Sequence, residues 1–177
     1  MSRTSITPCF VIKQALAKFG YVWYIFGTLG HYCKKLPRFS TSVRDGVPNY
    51  GLTIITRAYP VIIVLYELFY EMRDGHMVKR VSLDMLPYLT PLCLAYWIMD
   101  DGTYNHGNIL LCTDGFTHDE VYLLAAMLHY NLGLVCTTQK FGKGLRLYVT
   151  AKSIPKLRAL VAPYIIPSML YKIDSRR

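Results

Sequence analysis

Two adjacent carboxylates, Asp100 and Asp101, follow directly on the apolar run Leu94-Ala95-Tyr96-Trp97-Ile98-Met99 and are closed by Gly102. The run predicts a helix. Thr90 can cap its start, Pro91 suits its first position and Gly102 stops it. Both acids then fall at the C-terminal end, where the aligned peptide dipoles carry partial negative charge and disfavour anions. Carboxylates held there call for a compensating cation, and an oxygen-preferring divalent metal such as Mg²⁺ is the first candidate. The same residues can also be a core helix running out into a solvated acidic turn.

The rest of the chain favours a polyanion as partner. Its 177 residues carry a net charge of +9, with a pI of about 9.3. So basic a domain seeks nucleic acid first. A membrane surface would ask for basic residues along one amphipathic helix, whereas here they spread over predicted strands and loops. Hydrophobic residues at 53% and aromatics at 14% exclude a disordered chain and allow one well-cored domain or two small packed units. The five cysteines have no CxxC pair, so zinc is not indicated and they read as reduced core residues. The start Met1-Ser2-Arg3-Thr4 looks like neither a signal nor a transit peptide, and no uncharged run is long enough to span a membrane. A soluble chain is expected.

Elements that could position the acids recur along the sequence. Residues 10–16 read as a strand, 18–32 as a helix, and 38–44 with 49–57 as a hairpin around Asp45-Gly46 and Pro48-Asn49. Pro60 then opens a helix to Tyr70, and the Asp74-Gly75 turn leads on to the acidic helix. Beyond Gly102 the order returns. Residues 108–113 form a strand, and Thr117-His118-Asp119-Glu120 is a capping box opening a helix that Asn131-Leu132-Gly133 closes. Residues 134–141 and 145–150 form a second hairpin, and Ser153 caps a last helix over 154–161. A β-α-β-β-α order thus occurs twice.

The stretch 94–102 resembles the signature helix of the LAGLIDADG homing endonucleases and their maturase relatives, in its LAYWxMDDG form. Pro163-Tyr164-Ile165-Ile166-Pro167-Ser168-Met169-Leu170-Tyr171-Lys172 is similar to the family's "PYxxPSMxYKL" ending. Cys112-Thr113, Phe116-Thr117 and Glu120-Val121 match its second-repeat pattern. The resemblance implies an α+β LAGLIDADG fold of two ββαββ(α) repeats, here residues 1–86 and 87–177, with the first helix of the N-terminal repeat missing. Ser2 to Gln14 would correspond to that repeat's first strand, and Met1 to an internal methionine of a longer intron reading frame.

What the resemblance implies for chemistry is specific. Asp101 would hold the catalytic Mg²⁺, with Asp100 the weaker candidate, and Lys172 would stabilise charge on the phosphate. Lys79 would be the first-repeat counterpart of Lys172, and Gln139 would position water or contact bases. Hairpin strands suit the major groove, where Arg and Lys read guanine and Asn or Gln adenine. The candidate readers are Arg38, Ser40, Ser42, Arg44, Asn49, Thr53 and Arg57 in the first repeat. In the second they are Thr138, Lys140, Lys143, Arg146 and Tyr148.

Three functions are compatible with these residues: an intron-encoded DNA endonuclease using divalent metal, an RNA-binding maturase assisting its host intron, and an inactive nucleic-acid-binding protein. Double-stranded DNA is the expected partner, host intron RNA the alternative, and no membrane is involved. A mitochondrial origin is expected from the resemblance, with the chloroplast as the other organelle. Ala95, Trp97 and Ile98 are expected to form an exposed apolar stripe. A homodimer or a separate N-terminal fragment would cover it.

Overall fold

The computed structural model describes residues 8–142 and 144–174, with every side chain among them except that of Arg44. The expected strand residues 2–7 and the candidate DNA readers Lys143 and, in its side chain, Arg44 therefore lie outside the described residues. The chain divides into two compact units, Met1–Glu67 and Leu68–Arg177.

The first unit runs β1 (Val11–Ala15), α1 (Phe19–Leu29), β2 (Arg38–Arg44), β3 (Val47–Ile55) and most of α2 (Pro60–Phe69). Its antiparallel sheet has the order β1-β3-β2. Asp45 and Gly46 join β2 to β3 with φ of 52° and 77°, the pair of positive values that a two-residue primed turn requires. Pro48 lies inside β3 rather than in the turn, since β1 pairs only with Gly51 to Ile55. At Pro48 the strand has a neighbour on one side alone, where proline is tolerated. Tyr21, Val22 and Ile25 of α1 pack with Leu52 and Ile54 of β3 as a small core. None of the ten residues of α2 is buried.

The second unit opens with a hairpin, β4 (Tyr70–Arg73) and β5 (His76–Lys79), then a 3-10 turn over Leu83–Tyr88. There follow α3 (Pro91–Asp101), β6 (Thr103–Asn105), β7 (Asn108–Leu111) and α4 (His118–Leu132). The unit ends with β8 (Cys136–Phe141), β9 (Gly144–Val149), α5 (Ile154–Val161) and 3-10 turns over Ala162–Tyr164 and Pro167–Lys172. Its sheet order, β6-β7-β9-β8, contains the first unit's order: β7, β9 and β8 stand where β1, β3 and β2 stand. The doubled β-α-β-β-α order read from the sequence is thus present, in an α+β chain. The strands β4, β5 and β6 were not expected. Each has only three or four residues, too few to show an alternating pattern. Among the described residues no helix is long and apolar enough to cross a membrane. Of the five cysteines, only Cys33 is buried.

The expected capping box at α4 forms, and Gly133 closes the helix in the left-handed conformation at φ 62°. Ser153 behaves differently. Its hydroxyl accepts from the Val135 N–H at 2.8 Å, joining the loop before β8 to α5 instead of capping the helix.

Glu120 does more than cap. One carboxylate oxygen accepts from the Thr117 N–H at 2.7 Å, and the other from Arg73 at 2.6 Å and the Val81 N–H at 3.2 Å. It ties the β4–β5 hairpin to the start of α4. Burial pushes its pKa up, but the Thr117 and Val81 amides and the Arg73 guanidinium outweigh burial and hold the carboxyl below its ordinary value. A carboxylate whose pKa is depressed by folding stabilises the native state above its unfolded pKa, and that stability is lost as pH falls through the folded value. Glu120→Gln should therefore lose about 2 to 4 kcal/mol in urea unfolding at neutral pH. The gap to the parent should narrow as pH falls below 4.5, the ordinary value. A gap independent of pH would show that ionised Glu120 does not carry this stability.

Candidate functional site

The acidic helix forms as its sequence demands. Thr90 Oγ1 accepts from the Cys93 N–H at 3.2 Å, Pro91 takes the first position, and the Gly102 N–H bonds to the Ile98 carbonyl at 2.9 Å. Gly102 is extended (φ −72°, ψ 152°), so no left-handed turn dictates glycine here. Crowding does: a Cβ at Gly102 would stand 2.7 Å from both the Cα and the carbonyl oxygen of Ile98. Leu94, Ala95, Ile98 and Met99 are completely buried, and within the unit α3 packs against β7, α5 and the two C-terminal 3-10 turns. This corrects the expected bare stripe. Ala95 and Ile98 are covered, Trp97 is half-buried, and exposure shifts to Leu92 and Cys93.

Asp101 is exposed at the end of α3, and Asp100 is half-buried beside it. Lys172 arrives from the far end of the chain. Its ammonium donates to the Gly102 carbonyl at 2.8 Å and to the Asp100 carbonyl at 3.2 Å, and the residue is only 6% exposed. The 3-10 turn that delivers it is anchored by buried Ile165, Met169 and Ile173. Arg158 reinforces the anchor by donating to the Ile173 carbonyl at 2.7 Å. Part of the cation that the helix end demands is thus built into the protein. Lys79 stands exposed at the end of β5, opposite Tyr70.

A magnesium ion fits what remains. Among the described residues no group of three or more His, Cys, Asp or Glu could hold a metal, so no all-protein cage exists. Mg²⁺ asks for less: one or two carboxylates, retained waters and substrate phosphates. Asp101, with Asp100 adjacent in sequence, offers that donor set.

Register sorts the candidate nucleic-acid contacts by face. Directly paired residues of antiparallel strands share a face. In the first unit Arg38 pairs with Thr53, Ser40 with Gly51, Ser42 with Asn49 and Arg44 with Val47. All the strand candidates therefore lie on one face, opposite buried Leu52 and Ile54. Thr53 is itself buried and donates to the Ser40 hydroxyl at 3.2 Å, so it fixes Ser40 rather than meeting solvent. Exposed Lys13, paired with Thr53, joins this face; its place follows from the ladder and was not singled out from sequence. Arg57 is exposed just beyond β3.

In the second unit the candidates split. Leu145, Leu147 and Val149 are buried, so Arg146 and Tyr148 face the other way, together with their partners Gln139 and Thr137. Thr138 pairs with Leu147 and Lys140 with Leu145, which puts both on the face away from Gln139, Arg146 and Tyr148. Thr137 takes the place that residue type alone gave to Thr138. Arg146 is held in place. Its guanidinium carbon stands 3.2 Å from the Phe141 ring centre, and Asp114 accepts from it at 3.4 Å. The Cys112 thiol and the Arg146 guanidinium, both bonded to Asp114, keep its carboxyl below the usual range.

Comparison with known proteins agrees with this geometry. The model of the LAGLIDADG DNA endonuclease family matches residues 1–157, and the chain belongs to that family. It is 32% identical over 174 residues to the cytochrome b mRNA maturase bI2 of Saccharomyces cerevisiae, covering 93% of this chain but only 41% of that protein. It is 30% identical over 159 residues to the intron-encoded endonuclease ai4 of Dictyostelium discoideum, covering 86% of this chain and 98% of that protein. Among solved structures it shares the fold of the homing endonuclease I-WcaI bound to its DNA recognition sequence. That match has a TM-score of 0.85 at 23% identity, and covers 98% of this chain and 79% of that one.

The crowding at Gly102 gives a direct test. Gly102→Ala must push the turn off Ile98, and overpacking of this kind costs about 1 to 3 kcal/mol. Denaturant unfolding of the variant should show that loss without loss of cooperativity. An unchanged midpoint would mean the turn is looser than its geometry.

Proposed function

We propose that this chain acts as an intron-encoded homing endonuclease of the LAGLIDADG type, binding a long duplex DNA target and hydrolysing phosphodiester bonds with a divalent metal, Mg²⁺, at Asp101. The observation that carries the reading is the signature helix ending in an exposed acid, in a unit whose sheet presents Gln139, Arg146 and Tyr148 on one face. When bound, the metal supplies Lewis-acid stabilisation of charge developing on the phosphate and activation of the attacking water. The chain's own residues do the rest. Asp101 binds the ion with Asp100 in support, and Gln139 faces the DNA and orients water or a base edge. Lys79 is the first-repeat counterpart of Lys172, in repeats spanning 1–86 and 87–177.

Arg38, Ser40, Ser42, Arg44, Asn49 and Lys13 form the reading face of the first hairpin. Arg146, Tyr148, Gln139 and Thr137 form that of the second. Lys140, Lys143 and Arg57 add charge for phosphate contacts. Cutting both strands calls for two metal-holding acids. We assign the second to a second signature helix, of the kind a homodimer or an N-terminal segment would supply.

A second reading has its own support. The Saccharomyces cerevisiae relative is named as a maturase, so the same surfaces would bind the host intron RNA by shape and phosphate contacts. Relatives named for cytochrome b mRNA also support an organellar origin, mitochondrial before chloroplast.

Two measurements test the proposal. Binding to duplex DNA should weaken with salt, with a slope of log K against log salt of roughly −0.9 per phosphate contact. A flat titration would sink the nucleic-acid reading, and tighter binding to intron RNA than to duplex DNA would favour the maturase. In any cutting form of the protein, Asp101→Asn should lower cleavage about 100-fold or more while leaving DNA affinity intact, as expected when several kcal/mol of metal assistance are removed. Parental cleavage by that variant would exclude Asp101 as the metal-holding acid, and Asp100→Asn in parallel would show whether its neighbour serves instead.

A further inference from the structure

We propose that Lys172 is a positioning residue: its ammonium clamps the turn that carries Asp101 and acts on metal and phosphate only through that carboxylate. The proposal rests on Asp101 being the metal-holding acid. Its geometric basis is direct. Two of the three donors on Nζ are spent on the carbonyls of Asp100 and Gly102, the residues on either side of Asp101. A lysine serving a bound phosphate directly needs its ammonium turned to solvent where DNA arrives. Lys172 is instead 6% exposed. Its approach is fixed by two buried anchors, Met169 within the same 3-10 turn and Ile173 directly after it.

The turn is pinned from two directions. Gly102 lies so close to Ile98 that no Cβ fits, and Lys172 holds two of the turn's carbonyls. A carboxylate between two pinned peptides has little freedom beyond its own side-chain torsions. A metal ligand gains affinity from such orientation by its surroundings. The clamp also places a positive charge at the negative end of α3 whether or not metal is bound.

The test uses the full chain with Lys172→Met, which keeps length and loses charge, and Lys172→Arg, which keeps charge and donors. Tb³⁺ is the metal probe, its luminescence sensitised by Trp97 one turn before Asp101. Lys172→Met should weaken Tb³⁺ binding about tenfold or more, the range seen when groups behind a ligand are removed. Amide exchange at Gly102 should speed by a similar factor, on the order of tenfold, while amides of α4 keep their protection. Lys172→Arg should restore most of both. In a cutting form, Lys172→Met should raise the Mg²⁺ concentration needed for half-maximal cleavage, with the rate recovering at saturating metal.

Unchanged Tb³⁺ affinity and Gly102 exchange, with cleavage reduced equally at every metal concentration, would overturn the proposal in favour of direct contact with phosphate. Asp101→Asn with parental Tb³⁺ affinity would instead sink the metal assignment beneath it, and the exchange measurement would still judge the clamp. Should Lys172→Met unfold, Gly102→Ala displaces the same turn with Lys172 intact. Parental Tb³⁺ affinity in that variant would overturn the proposal.

Discussion

A helix that ends in consecutive carboxylates sets its own dipole against its side chains, and the bond from the Lys172 ammonium to the Gly102 carbonyl relieves that conflict. Hydrogen bonds to a charged donor contribute about 1.5 to 3 kcal/mol each, more than an ordinary neutral pair. The donor here comes from 70 residues downstream. The cap therefore forms only when the C-terminal 3-10 turn has docked, and docking needs Met169, Ile173 and the Arg158 bond to the tail carbonyl. The end of α3, and with it Asp101, is thus organised by a segment 70 residues downstream.

The opposite logic governs α4. Its N-terminal end carries partial positive charge and unpaired amides, and Glu120 meets both, accepting from Thr117 within the capping box. Arg73 and the Val81 amide fill its remaining acceptor sites from the β4–β5 segment. Two helix ends in one unit, one satisfied by a buried carboxylate and one by a buried ammonium, thus hold its first and last segments to the sheet-bearing core. In both cases the buried charge is tolerable because main-chain groups complete its hydrogen bonds.

Much of this was legible in the sequence where the cause is local. Thr90, Pro91 and Gly102 bracket α3 at its observed limits, and the Thr117–Glu120 box and the Asp45-Gly46 turn form as their spacing demands. Failures came where the cause is distant. Ser153 is spaced as a cap, yet its hydroxyl goes to Val135 eighteen residues away. The bonds from Lys172 to two carbonyls seventy or more residues upstream have no local signal either. Ala95 and Ile98 read as an open stripe, because the 3-10 turns that pack on α3 have no periodic signature. The faces of Thr138 and Lys140 are a different case. Counting back from the turn after Phe141 sets Gln139 opposite Arg146, so the face of each residue is legible from register but not from residue type.

The uneven lengths of the strands have a consequence for how freely their outer surfaces can change. β1 backs β3 only from Gly51 to Ile55, so the ribbon from Thr41 to Tyr50 stands as two strands beyond its supporting neighbour. β7 likewise backs β9 only over Leu147 to Val149, leaving Gln139 and Arg146 on an unsupported span. Two-stranded ribbons twist more strongly than wider sheets and bend without disturbing a core. Exchanges of surface residues on such spans shift stability by only about 0.5 kcal/mol. Selection can therefore rewrite the outer contacts almost independently of foldability, while Leu52, Ile54, Leu147 and Val149 keep the base unchanged. Under the proposed function, a lineage of such proteins would move from one nucleic-acid target to another by revising its fingertips alone.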